Sequence, residues 1–248
     1  MHALSLSRSL SALSLGLYVE PVGALIVADL HIGYEEALAE QGIHLPRSQY
    51  HKIKRLVSEM LEHLAPEVVV LLGDVKHEFG EATRQEWIEV ADLIKFLQAS
   101  VRELLVVRGN HDNYLIPILK REGVPLFDPT LQLGDVLLAH GHKALDVRGA
   151  QPHTIVVGHE HPAIALKDDL GIKYKFKCFL AGELSGKRLV VLPALSPLMP
   201  GSEVNVLPKE RLLSPILRQA ELENFRVFVT DPEVGVYDFG LLKHLEAL

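Results

Sequence analysis

The chain has 248 residues, 48% of them hydrophobic, with 25 Lys and Arg against 32 Asp and Glu and a net charge of -7 at pH 7. That apolar share can bury a sizeable core, and the acidic balance excludes a general nucleic-acid binder that draws its affinity from widespread Lys and Arg, though not a local basic patch. One cysteine, Cys178, rules out an internal disulfide and fits a reducing, cytoplasmic compartment.

The first residues, MHALSLSRSLSALSLGLYVEP, are rich in Leu and Ser, as a signal peptide would be. Serines interrupt the apolar run, however, and it meets Glu20-Pro21 without a small-residue cleavage site, so a first β-strand is expected. No stretch reaches the length needed to span a bilayer, so no membrane partner is expected. Residues 13–18 and 24–28 flank Glu20-Pro21-Val22-Gly23 and predict a β-hairpin. Residues 48–64 carry Ile53, Leu56, Val57, Met60, Leu61 and Leu64 at helical spacing, with Ser48 as the expected cap and Pro66 as the stop. Residues 68–72 are an apolar run that predicts a buried strand, with Gly73 turning the chain to present Asp74 at its carboxyl end. A second amphipathic helix is expected over 84–98, a strand over 104–108 and a short helix over 114–122.

The alternation of strand and helix to this point implies a partly parallel sheet. From Leu126 the pattern changes to strands with few helices, at 130–133, 136–139, 154–157, 163–166, 173–179, 188–192, 226–230 and 235–239. Two packed sheets with helices on their outer faces are therefore expected, in one domain over 1–248. Residues 162–248 would complete the second sheet and the rim. The alternation Lys173-Tyr174-Lys175-Phe176-Lys177 puts three lysines on one face, read as the solvated side of a half-exposed strand. Residues 193–215 hold five of the fourteen prolines, too many for a helix or a central strand, and read as an ordered surface loop or as a rim beside the site.

Five apolar runs end in short loops of Asp, His or Asn, and seven of the thirteen histidines sit there: His31, His77, His111, His140, His142, His159 and His161. Histidines that only fill a core have no reason to recur at strand ends, so the clustering points to a shared metal site. The loops read D-x-H (Asp29, His31), G-D-x-x-H (Gly73, Asp74, His77), G-N-H-D (Gly109 to Asp112), a lone His140, and G-H-x-H (Gly158, His159, His161).

These five blocks, in this order over 29–161, resemble the calcineurin-like metallophosphoesterase superfamily. The stretch SPLMPGSEVN, Ser196 to Asn205, resembles a prokaryotic branch related to the DNA ligase-associated metallophosphoesterases. The resemblance implies an α/β fold in which a two-sheet β-sandwich is flanked by helices, in four layers αββα. It also implies two divalent transition-metal ions, Mn first, with Fe, Co, Zn or Ni as alternatives. Asp29, His31 and His161 would hold one ion, Asn110, His140 and His159 the other, and Asp74 would bridge them. Such donors suit transition metals and argue against calcium.

Within that family, ions roughly 3.5–4 Å apart acidify a bridging water, and the resulting hydroxide attacks phosphorus. His111 would act as general acid, with Asp112, where many relatives carry Glu, orienting it or favouring its protonated form. His77 and His142 are expected as supporting or substrate-facing residues. The implied activity is hydrolysis of a small or nucleotide-type phosphodiester. A phosphomonoesterase, a nuclease and a non-catalytic metal-binding scaffold for protein contacts are the alternatives; nucleic acid is the less favoured substrate, and a homo-oligomer is left open.

Overall fold

The computed structural model describes residues 2–147 and 152–245. Strands β1 (Leu4–Ser7), β2 (Leu10–Leu13), β3 (Gly16–Val19) and β4 (Ala24–Val27) form an antiparallel meander. From β4 the sheet continues in parallel through β5 (Val68–Leu72), β6 (Glu103–Val107) and β7 (Leu126–Phe127). Four α-helices alternate with these strands: α1 (Tyr34–Glu40), α2 (Gln49–Leu64), α3 (Arg84–Ser100) and α4 (Ile116–Glu122).

The second sheet draws on β8 (Thr130–Leu133), β9 (Val136–Ala139), β10 (Thr154–Val157), β11 (Pro162–Lys167), β12 (Lys173–Leu184), β13 (Lys187–Val191), β14 (Ser202–Glu203), β15 (Arg226–Asp231) and β16 (Gly235–Leu241). Its order is β14-β11-β12-β13-β10-β9-β8, with β15 and β16 joined to it through β12. β9, β10 and β13 run parallel. Both sheets are thus mixed, and the chain has the expected α/β sandwich.

Three apolar layers hold it together. Ile53, Val57 and Met60 of α2, with Val90, Ile94 and Leu97 of α3, pack on the outer face of the first sheet against Val69, Leu71 and Val106. Val68, Val70 and Leu72 face inward to meet Leu138, Val156, Phe179 and Val190 between the sheets. Because β5 is covered on both faces, all five of its residues are buried and its sequence shows no alternation. The outer face of the second sheet is closed by Leu212, Ile216, Leu217, Leu222, Phe225 and Leu242. Most of these sit in or beside 3₁₀ turns, so among the described residues the fourth layer is built of 3₁₀ turns and loops.

Several sequence expectations need correcting. The predicted strand at 13–18 is two strands, because the chain reverses at Ser14 in the left-handed region at φ 52°. Helix α1 is short and has no long apolar repeat to reveal it. Ser48 places no side-chain cap on α2; Glu35 of α1 does that work, accepting from the amides of Ser48 at 2.7 Å and Gln49 at 2.8 Å. The lysine face of β12 is solvated as expected at Lys173 and Lys175 but not at Lys177. Lys173 and Lys175 pair with Glu203, and Lys177 turns inward to donate to the carbonyl oxygens of Ala194, at 2.7 Å, and Ser196. Residues 193–196 are buried rather than a surface loop, since Ala194 bridges to Ala28 in parallel and the Ser196 amide donates to the Asp29 carbonyl.

Candidate active site

Strands β4, β5 and β6 of one sheet and β9 and β10 of the other deliver their carboxyl ends to a common rim. The residues that follow them are Asp29 and His31, Asp74, Asn110 and His111, His140, and His159 and His161. Five of these adopt left-handed backbone: Asp29 (φ 57°), His31 (47°), Asp74 (49°), His159 (68°) and His161 (51°). This region costs an L-residue roughly 1–2 kcal/mol, so surrounding hydrogen bonds must impose it. The amide of Asp29 donates to the Gly73 carbonyl at 3.1 Å, and that of His31 to the Asp74 carbonyl at 2.9 Å. Gln49, at the start of α2, donates from its side chain to the His31 carbonyl at 2.8 Å and to Ser196 Oγ at 2.8 Å. Close approach decides the neighbouring glycines: a Cβ on Gly73 would collide with the His140 ring, and one on Gly109 with the Asp74 carboxylate and amide.

The hydrogen bonds determine which atoms face inward. Asp29 Oδ2 accepts from the His159 amide at 2.9 Å, which leaves Oδ1 buried without a hydrogen-bond partner, 3.3 Å from His161 Nε2. Asp74 Oδ1 accepts from the His111 amide at 3.0 Å. Its Oδ2 then lies 3.3 Å from His140 Nε2, 3.8 Å from His31 Nε2 and 3.8 Å from His111 Nε2. His140 Nδ1 faces the Leu72 carbonyl at 3.0 Å, so it carries the proton and Nε2 turns to Asp74 Oδ2 and to Asn110 Oδ1 at 3.2 Å. The rings of His31 and His161 approach at Nε2 to Nε2 3.4 Å. Asp29, His31 and His161 form one group able to hold a metal ion, and Asp74, His140 and His159 a second.

The electrostatics agree with such a role. Burial pushes the His31 imidazole down to about 3 and that of His159 to about 4, keeping both neutral with lone pairs free. Burial opposes the charge on Asp29, yet His161 and His140 outweigh it and hold the carboxyl low. Asp74 follows the same logic, with His140, His31 and His111 overcoming burial. Burial also opposes protonation of His140, but Asp74 and Asp29 prevail and raise it to about 9. Converging carboxylate, amide and imidazole acceptors with few donors among them is an arrangement that calls for a cation, and a proton on His140 is what meets that demand when no metal does.

The structure brings together all the residues that the sequence nominates, and places Asp112 differently from the expectation. Asp112 does not orient the His111 ring. It is fully buried and accepts from the backbone amides of Val75 at 3.0 Å and Gly109 at 2.9 Å, so it braces the two loops that carry Asp74 and Asn110. Burial and the nearby Asp74 raise its carboxyl to about 6. The ring of His111 is oriented through Nδ1 by the carbonyl oxygen of His77. The His77 ring itself joins His31 and His111 in a third group with metal-compatible spacing. His142 lies beside His140 and His159, at ring centroid distances of 5.2 and 6.0 Å, with its own Nδ1 unpartnered.

Sequence reasoning misses the groups that fasten the His77 loop. Lys76 and Glu86 are both fully buried. The Lys76 ammonium donates to the carbonyl oxygens of Glu78 and Gly80, while Glu86 accepts from the amides of His77 at 2.9 Å, Glu78 at 2.7 Å and Thr83 at 2.8 Å. Glu86 was findable, because Thr83-x-x-Glu86 reads as a capping box at the start of α3, and the structure contains that box. Nothing in the sequence marks Lys76.

Fold and site together define an α/β sandwich whose strand ends converge on groups of residues fit to bind metal. The family model of calcineurin-like phosphoesterases matches residues 24–178, and the chain belongs to that family of phosphate-ester hydrolases. No curated protein matches the chain. Among solved structures it is similar to nuclease MPE of Pseudomonas putida, at 18% identity and a TM-score of 0.67, covering 96% of this chain and 99% of that one. It is also similar to the phosphoesterase Yfce of E. coli, at 17% identity and a TM-score of 0.41 over 84% and 87% of the two chains. Among the described residues no helix is long and apolar enough to cross a membrane.

Proposed function

We propose that the protein is a dinuclear-metal phosphodiesterase acting on a small or nucleotide-type substrate. The observation that carries this reading is Asp74. One of its oxygens is tied to the His111 amide, and the other is directed between the donors Asp29, His31 and His161 on one side and Asn110, His140 and His159 on the other. These residues would hold two divalent transition-metal ions, with Mn preferred. The ions would supply an acidified water and neutralise phosphate oxygens.

The chain's own groups do the rest. Asp29 Oδ1 and Asp74 Oδ2 are held as charged acceptors by backbone amides on their partner oxygens. His111 presents Nε2 at 3.8 Å from Asp74 Oδ2, and its Nδ1 is anchored on the His77 carbonyl, so Nε2 is the atom that gives a proton to the departing alkoxide. Asp112 keeps its carboxylate on the amides of Val75 and Gly109 and fixes the spacing of the Asp74 and Asn110 loops. The chain then works in a reducing cytoplasmic compartment, where the buried Cys178 stays a thiol.

A nuclease is the second reading, favoured by the fold shared with nuclease MPE of Pseudomonas putida. The net charge of -7 weighs toward the small substrate. The test is hydrolysis of bis(4-nitrophenyl) phosphate and 4-nitrophenyl phosphate by Mn²⁺-reconstituted protein. Diester turnover should exceed monoester turnover and fall about 10²-fold or more in His111→Ala with metal content unchanged. Preferential monoester turnover, or an undiminished His111→Ala, would overturn the reading.

A further inference from the structure

A column of four rings runs through the site. Tyr34 lies on His77 at a centroid distance of 4.2 Å and an interplanar angle of 30°, His77 on His111 at 5.5 Å and 31°, and His111 on Phe79 at 3.7 Å and 27°. Phe79 closes the column and is 57% exposed. One face of its ring is covered by His111, so the exposure belongs to the other face and the edges.

Solitary exposed aromatic residues are ordinary on protein surfaces. This one differs in how it is held. The carbonyls on either side of it, of Glu78 and Gly80, are pinned by the buried Lys76, and the amides of His77 and Glu78 by the buried Glu86. Burying two charged side chains is costly, and an exposed phenyl ring returns little hydrophobic stabilisation. What this bracing secures is a fixed, solvent-facing aromatic plane directly over the ring of the proposed acid.

We propose that Phe79 is a substrate-binding residue that stacks on a planar aromatic group of the leaving alcohol, so that the preferred substrates are phosphodiesters whose departing group is a nucleoside or an aryl alcohol. This rests on the phosphodiesterase reading, because only the side of the phosphate that His111 protonates lies beneath Phe79. The open face of the ring has room to take one further ring onto the column. Stacking of this kind tolerates any base, since every base offers a π-face.

Benzylphosphonate and cyclohexylmethylphosphonate test the contact without hydrolysis, because their C–P bonds are not cleaved by phosphoesterases and their rings differ chiefly in planarity. Titration calorimetry of the Mn²⁺-loaded protein should give about tenfold tighter binding of the benzyl compound to the wild type, within the range that aromatic stacking supplies. Phe79→Tyr should keep that preference, while Phe79→Ala and Phe79→Leu should abolish it; a role confined to loop packing would instead let Leu restore binding of both compounds. A wild type that binds both equally or neither, or a preference that survives in Phe79→Ala or Phe79→Leu, would overturn the proposal. Failure of the wild type to hydrolyse bis(4-nitrophenyl) phosphate is a separate result and would sink the phosphodiesterase reading, because the phosphonates report ring contact whether or not chemistry follows.

Discussion

Asp29 and Asp74 each engage one carboxylate oxygen with the backbone amide of a neighbouring histidine, His159 and His111 respectively, and keep the other oxygen for the interior of the site. This division cannot be read from a D-x-H or G-D motif, since it depends on amides that arrive from other strands. The motif residues themselves were legible because each follows an apolar run that could only be a strand. The part played by Asp112 was not, because adjacency in sequence to His111 says nothing of where a buried carboxylate points. His140 yields a prediction at this scale. Its folded value of about 9 lies above neutrality, so at pH 7 the metal-free protein carries a proton there. A metal needs the Nε2 lone pair, so loading must expel that proton, and affinity should rise with pH up to about 9 and fall below it. Calorimetric titration of Mn²⁺ in buffers of different ionisation enthalpy should report release of about one proton per protein at pH 7.

Among the elements, the long amphipathic helices α2 and α3 and the buried strand β5 follow directly from spacing and apolar runs. What escaped the sequence were short pieces fixed by tertiary contacts: α1, the reversal at Ser14 that splits the expected strand at 13–18 in two, and residues 193–196, which look like loop but are buried between the ends of the two sheets. Lys177 makes the same point, for period-2 alternation placed it with the exposed Lys173 and Lys175 on one face but could not tell that its own end of that face meets the carbonyls of Ala194 and Ser196. At the start of α3, Glu86 couples helix capping to the shape of the His77 loop. Glu86→Gln replaces an acceptor with a donor facing amides, and should cost about 1–3 kcal/mol. The check is chemical denaturation together with diester turnover, where activity should fall while metal content stays at the wild-type level.

On the scale of the molecule, the site exists because two sheets meet along one rim, and no single sheet carries all of its groups. Asp29, Asp74 and Asn110 come from the first, His140, His159 and His161 from the second. The layer between the sheets therefore sets the spacing of the two donor groups. Phe179 is fully buried in that layer. Phe179→Ala should lower stability by about 3–5 kcal/mol, measured by urea denaturation, and should weaken metal binding without touching a ligand. The two-sheet plan was legible from the change at Leu126 from mixed to strand-only patterning, while the 3₁₀ cover of the second sheet was not, since such short turns leave no periodic trace.

The proposed chemistry depends most on Asp74, which is placed to serve both donor groups. The most direct measurement is metal content and bis(4-nitrophenyl) phosphate turnover for the wild type and Asp74→Asn, both stripped and reconstituted with Mn²⁺. Two ions per wild-type chain with strong turnover, and loss of at least one ion together with activity in the variant, is the expected result. Full metal content and undiminished turnover in Asp74→Asn would contradict the bridging role and the two-metal account built on it.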